Sequence, residues 1–337
     1  MRKDLPLSTQ AEINGHLIYT YPYSILCSSP VYKDYIMEHY LHCFGFVNES
    51  NDITFEYEDG VGYNNMYRCS GPFDIVYYPY SAGLQMNIEK TIVSAMADNY
   101  YPVIFTDEYY LKSRPSYKKE HNLHEIMITG YDDKTFTYYA FNEKFRLSFS
   151  SFPRKNLRKA YRKGSRMIPN DAVSWVPGRS IILLKPRRAL SEYEYSVARF
   201  RKGLVKYISA EPDPELRSFY IPNEKCFCGI KNTDLIKFAL ENSDKEIGIR
   251  YPAVHAWSES KKNMLSKISY YLEQTGYIDG DILDNYEKNV VRPAELIRMV
   301  VLKLRRNGRI DSADAIEHLN SITKSESELI RKILNLK

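Results

Sequence analysis

A cysteine, a histidine and an asparagine stand in this chain in the order that thiol chemistry requires: Cys27, His124 and Asn142. Ser28, Ser29 and Pro30 suit a cap and a first helical turn, and VYKDYIMEHYLHCF continues with helical spacing to Gly45, which predicts a helix from about 30 to 44. Cys27 would lie just ahead of that N-terminus, where unpaired N–H groups and the helix dipole favour thiolate over thiol. With an imidazolium close by, such a position lowers a thiol pKa from about 8.5 into the range of about 3.5 to 7.5. His124 opens the β-rich run EIMITGY and Asn142 ends the run TFTYYAF. If the two runs pair antiparallel across Asp132 and Asp133, His124 and Asn142 meet at one end of the hairpin. The amide oxygen then holds the imidazole while its other nitrogen faces Cys27. The backbone N–H of Cys27 is the obvious oxyanion donor.

The elements that must position this trio divide the chain in two. Between about 100 and 186 the sequence reads as strands separated by turn signals: YPVIFTD, EIMITGY, TFTYYAF and, after VPGR, SIILLKP. Beyond Pro186-Arg187-Arg188 the period becomes helical, in SEYEYSVARFRKGLVKYI, TDLIKFALEN, SKKNMLSKISYYLEQTG, AELIRMVVLKLRRNG and SELIRKILNL. Gly276 and Gly308 fit C-caps, and Pro293 fits a first helical turn. The expectation is an α+β protein with domains 1–187 and 188–337, the second all-helical.

Composition agrees with two packed cores. At 337 residues the chain exceeds what one core usually organises, and 44% hydrophobic with 26% charged residues is an ordinary globular mixture. No apolar run reaches a bilayer span and no signal-peptide pattern opens the sequence, so a soluble cytoplasmic protein without a membrane partner is expected. Five cysteines, an odd number, predict free thiols rather than a disulfide framework. Cys226-Phe-Cys228 has one intervening residue, too few for common zinc spacing, and reads as structural. His121 and His124 lack a visible third and fourth ligand, so no metal is expected. Thirty tyrosines read as amphipathic packing residues.

The net charge of +5 is modest, but its distribution is not. Arg154, Arg158, Arg162 and Arg166 recur at fourfold spacing with Lys155, Lys159 and Lys163 alongside, covering one broad face of a helix. This face is either simply solvated or a dock for an acidic protein or a phosphate. Nucleic acid is not the expected partner, because no recognised RNA- or DNA-binding pattern accompanies it.

The stretch YPVIFTDEYYLKSRPSYKKEHNLHEIMITGYDDKTFTYYAFNEKF resembles the butirosin biosynthesis protein H, N-terminal domain family. The likeness lies in Asp107, Tyr109, Tyr110, Leu111, Tyr117, His121, His124, Gly130, Tyr131 and Asp132. The order of helices in the C-terminal half is similar too. The resemblance implies a papain-like cysteine fold, a place beside nonribosomal peptide and other natural-product machinery, and transfer of an acyl group from a carrier-protein thioester to a small-molecule amine. Cys27 would then be the nucleophile, His124 the base and then acid, and Asn142 the orienting residue. Asp107, Tyr109, Tyr110, His121 and Tyr131 would line the pocket, and Arg154, Arg158 and Arg162 would receive the acyl or peptidyl carrier protein. No cofactor is implied beyond the phosphopantetheine that presents the substrate. Two alternatives stay open: a papain-like peptidase or amide hydrolase, and an inactive carrier-docking protein on the same fold. Leu26 before the cysteine and a glycine-poor ITFEYEDGVGYNNMY suggest the latter.

Overall fold

All seven residues of YPVIFTD are buried, and they form the strand β5 (Tyr101–Asp107) in the computed structural model. A strand buried on both faces reads as a continuous apolar run. Residues 2–48, 50–57, 71–168, 178–211, 226–242, 248–277, 280–307 and 312–336 are described. The chain forms two units: Met1–Ala11, Leu17–Tyr32 and Gly62–Glu192 in one, Glu12–His16, Lys33–Val61 and Tyr193–Lys337 in the other.

The first unit is built on a seven-stranded antiparallel sheet. Its path runs β4 (Phe73–Pro79), β9 (Arg179–Pro186), β5, β6 (Leu123–Tyr131), β7 (Thr135–Phe141) and β8 (Leu147–Pro153), with the short β1 (Lys3–Asp4) pairing β6. The β6–β7 hairpin forms where expected. The Asp132 carboxylate accepts the backbone N–H groups of Lys134 and Thr135, both at 2.7 Å, and so closes the turn. Against β5 packs α5 (Arg154–Met167), which buries Leu157, Ala160, Tyr161, Gly164 and Ser165 as one stripe. Gly164 lets the helix approach closely: a Cβ there would lie 2.7 Å from the carbonyl carbon of Thr106 and 2.8 Å from the nitrogen of Asp107. The neighbouring α4 (Ile88–Ala97) is capped by Asn87, whose side-chain oxygen accepts from Lys90 N–H.

Around Cys27 the helix is not 30–44 but α1 (Leu17–Leu26), followed by a 3₁₀ turn over Pro30–Tyr32 and a short α2 (Lys33–Glu38). Tyr40 then takes a left-handed backbone conformation (φ 60°), and Cys43–Val47 becomes β2. Nine of the ten residues of α1 are buried and Pro22 lies inside it, so it shows neither an amphipathic stripe nor a helix-forming composition.

The second unit is mostly helical, not all-helical. It contains a three-stranded antiparallel sheet in the order β10 (Cys226–Cys228), β2, β3 (Ile53–Tyr57). That pairing is why residues 33–61 belong with the C-terminal region and a single cut near 187 does not separate the units. The helices are α6 (Val197–Ser209), α7 (Asn232–Glu241), α8 (Tyr251–Thr275), α9 (Gly280–Tyr286), α10 (Arg292–Asn307) and α11 (Ser312–Leu334), with a π-helical turn over Glu287–Val291. Gly276 ends α8 at φ 70° and Pro293 sits in the first turn of α10, both as expected. Gly308 lies outside the described residues.

At the centre of this unit four of its helices share a buried polar cluster. Lys261 of α8 pairs with Glu326 of α11 at 2.7 Å, and both are essentially inaccessible to solvent. Tyr207 of α6 and Tyr286 of α9 donate their hydroxyls to the same carboxylate, at 2.9 and 2.6 Å. Burial first, and the Glu326 charge second, push both phenols well above their ordinary pKa, so they remain donors.

Candidate functional site

The C-terminal end of β5 and the start of β6 gather the polar residues of the first unit. Thr106 pairs with His124 and Asp107 with Leu123 in the β5–β6 ladder. The β6–β7 ladder begins only at Met127, opposite Tyr139, so His124 and Glu125 lie on a stretch of β6 flanked in register by β5 alone. Here consecutive side chains can meet. His124 Nδ1 lies 2.8 Å from Glu125 Oε2, the imidazole about one-third exposed and the carboxylate buried. Burial, the largest influence, opposes charge on the ring, but the adjacent Glu125 carboxylate outweighs it and the His124 pKa is raised above 6.5. His124 is therefore a more basic imidazole than usual, with one nitrogen held by a carboxylate, the form a general base needs.

A second imidazole–carboxylate pair lies beside it. His121 Nδ1 is 2.6 Å from Asp107 Oδ2, and the other oxygen of Asp107 accepts the backbone N–H of Tyr109. The exposed His121 ring stacks on Tyr109 at 4.6 Å between centroids, and Tyr110 meets Tyr109 edge-on. Beneath this edge, Glu108 and Arg114 form a fully buried ion pair. Arg114 also donates to the carbonyl of Phe141, and Asn122 donates to Glu108 at 3.1 Å. Four of the expected pocket residues, Asp107, Tyr109, Tyr110 and His121, thus form one patch. Tyr131 does not join them: it lies at the far end of β6, buried, paired with Lys3 and Phe136.

The expected trio is assembled only in part. Register does bring Asn142 to the His124 end of the hairpin, since Met127 opposes Tyr139 and each lies three residues from its partner in question. The amide is otherwise engaged, however. Its oxygen accepts from the N–H groups of Lys144 and Arg146, at 2.9 and 3.1 Å, and its nitrogen donates to Ser148 Oγ at 3.1 Å. Asn142 shapes the β7–β8 turn, and the carboxylate beside the His124 imidazole is that of Glu125.

Cys27 is the larger departure. Its N–H donates to the carbonyl of Tyr23 at 2.8 Å, so it follows the last turn of α1 instead of preceding a helix. The partial negative charge at a helix C-terminus disfavours a thiolate. The next residue, Ser28, donates its hydroxyl to the carbonyl of Ile25 at 2.7 Å and lies near Tyr101, at the opposite end of β5 from Thr106 and His124. The first turn of α1 is Leu17-Ile18-Tyr19-Thr20, which has no thiol.

The basic face is assembled as the spacing implies. Lys155, Arg158, Lys159, Arg162, Lys163 and Arg166 all point to solvent along α5. Arg154 is different: it is half-buried over the ring of Phe136 and donates to the carbonyl of Asp132 at 3.2 Å. Glu89 of α4 lies 3.7 Å from Arg154 and 3.9 Å from Arg158. Lys159 sits 4.6 Å above the ring of Tyr110, joining the cationic face to the Tyr109–Tyr110–His121 patch.

Sequence reasoning missed Glu125, Glu108 and Arg114. An acidic residue within the apolar run EIMITGY was the available signal for the first; the other two have none. Among the described residues no helix is long and apolar enough to cross a membrane. Neither a protein-family model nor a curated protein matches this chain.

Proposed function

We propose that this chain is a binding protein on a papain-like frame that docks an acidic carrier protein along α5. The supporting observation is the cationic face itself. Arg158, Arg162 and Arg166 form one exposed row of like charges at i, i+4, and Lys155, Lys159 and Lys163 form another, while Arg154 turns in over Phe136 and shares Glu89 with Arg158. Each such pair opposes helix formation by a few tenths of a kcal/mol, about 0.2–0.5, and cations in the first turn run against the helix dipole. A face kept only for solubility would mix signs; this one is costly to the helix and complementary to an acidic surface. The aromatic edge at Tyr109 and Tyr110, next to Lys159, suits the phosphate and pantetheine arm of the carrier. The test is titration with an acyl carrier protein, in its apo and phosphopantetheinylated forms, across about 0.05–0.5 M salt. Binding that weakens with salt, and by about tenfold or more in R158E/R162E, supports the reading; binding indifferent to both removes it.

One observation favours a second reading, acyl transfer or hydrolysis. His124, made basic by Glu125, is fit to take the Cys27 proton, to return it to the departing phosphopantetheine thiol, and to deprotonate the amine or water that releases the acyl group. It requires Cys27 to reach His124. Incubation with an acyl-carrier thioester, with and without an amine, separates transferase, hydrolase and binding protein by product mass.

A further inference from the structure

We infer that the chain pairs with a second copy of itself along the open edge of β8, joining the two sheets about a twofold axis at Phe149. β8 is an outer strand: among the described residues only β7 pairs with it. Two backbone bonds frame that pairing, from Asn142 N–H to the carbonyl of Arg146 and from Arg154 N–H to that of Lys134, both 2.9 Å. Between them the ladder runs without a bulge. Bonded and non-bonded pairs alternate along an antiparallel ladder, so Ser148, Ser150 and Phe152 turn their backbone groups to β7 while Leu147, Phe149 and Ser151 turn theirs outward. Pro153, next in the outward series, has no N–H to offer.

This outward array is complementary to itself. With Phe149 opposite Phe149 of the copy, Leu147 falls opposite Ser151 and Ser151 opposite Leu147, so every outward N–H meets an outward carbonyl and none is left over. Phe149 is exposed, as is Phe145 in the adjoining turn, and the two Phe149 rings meet beside the axis. In the same register Glu143 of one copy comes level with Lys155 of the other. Lys144 comes level with Arg154, but that guanidinium reaches back over Phe136 to the carbonyl of Asp132, away from the edge. Sheet edges are ordinarily guarded by charges and bulges. The opposite outer strand, β4, has both, in Asp74 and in the register shift at Tyr78 and Pro79. β8 has no charged residue and no bulge. One open edge and one guarded edge let two copies join and stop there, as a closed dimer and not a fibre. A single added strand is small beside the roughly 1,200 Å² of a stable interface, so the dimer separates on dilution.

Sedimentation of the full-length protein from about 1 to 200 µM, with residue-resolved amide hydrogen exchange at both ends of that range, tests the pairing. The expected mass moves from 39.5 kDa toward twice that value as concentration rises. Over the same range exchange at Leu147, Phe149 and Ser151 slows by about tenfold or more, whereas Ser148, Ser150 and Phe152 are protected throughout. Phe149→Lys sets like charges against each other at the axis, and Ser151→Pro removes an outward donor without costing β7 a bond; each should hold the protein at 39.5 kDa. Wild-type protein that stays monomeric overturns the inference. So does a dimer whose three outward amides still exchange freely, because its interface then lies elsewhere. Protection that appears only when an extended peptide or a carrier protein is added assigns the edge to that partner and overturns it equally. Should both variants misfold, the exchange pattern of the wild type decides alone. Carrier protein is absent from the dimer samples, so their outcome is separate from that of the docking titration.

Discussion

Glu125 holds the imidazole of His124 at 2.8 Å from the very next position of β6, where strand neighbours ordinarily face opposite ways. At that level β6 pairs in register with β5 alone. The Glu125 carboxylate is the largest influence raising the basicity of His124, with Glu108 adding in the same direction.

That dependence has a sign in pH. The folded pKa of His124 is raised above its unfolded value near 6.5, so the extra stability is complete below about 6.5 and disappears as pH rises through the higher folded value. E125Q should return the His124 titration, followed by NMR of the ring, toward or below about 6.5. It should also flatten the change in urea midpoint across that window. An unmoved titration would mean that Glu125 does not set it.

Glu38 gives the opposite sign in the second unit. Burial works to raise its pKa, but hydrogen bonds from Arg199, Tyr193 and the Ser196 N–H prevail and lower it. Its stabilisation is complete above about 4.5 and lost as pH falls through the depressed value. E38Q should therefore be less stable than wild type near neutrality and lose less on acidification, as read by denaturation midpoints.

At Gly164 an added methyl group has nowhere to go, because the opposing atoms belong to the backbone of Thr106 and Asp107. G164A should destabilise the protein by about 1–3 kcal/mol and disturb the Asp107–His121 pair. Unchanged thermal stability would contradict the close approach of α5 to β5.

The Lys261–Glu326 pair should behave as a buried charge whose partner cannot be removed alone. E326A leaves Lys261 uncompensated and should cost about 3–5 kcal/mol. The double change K261M/E326L should cost distinctly less than the sum of the single changes, in a double-mutant cycle by urea denaturation.

For Cys27, iodoacetamide alkylation followed from pH 4 to 10 should show no reactivity that depends on His124, since the cysteine follows the last turn of α1 and its neighbour Ser28 lies near Tyr101, at the far end of β5 from His124. H124A should leave the profile unchanged. A lower pKa that reverts in H124A would restore the thiol-enzyme reading at the expense of the binding protein.

Most of the first unit's central sheet was legible because β5, β6, β7 and β9 carry local signals: apolar or alternating runs bounded by turn residues. The helix α1 was not, since burial all round erases the stripe on which period arguments depend. The reverse error, a helix over 30–44, arose from genuine helical spacing overridden at a distance. Cys43–Val47 is claimed by the neighbouring β3 and by β10, the latter roughly 180 residues away and outside any local window. The candidate site divided in the same way. His121, His124 and Asp107 announced themselves by type and spacing, whereas Glu108, Arg114 and Glu125 are charged residues in the interior, where charges are rarely expected.

The sheet of the second unit also sets an order of events during synthesis. β2 and β3 leave the ribosome early, but the strand that covers the open edge of β2 follows roughly 180 residues later, a delay of about 10–40 s at ordinary translation rates. Throughout that interval Cys43–Val47 presents unpaired backbone groups and aromatic side chains, a template for association with other nascent chains. Chaperone demand should therefore peak before β10 emerges, and a chain cut between the two strands should aggregate more readily than one that includes β10.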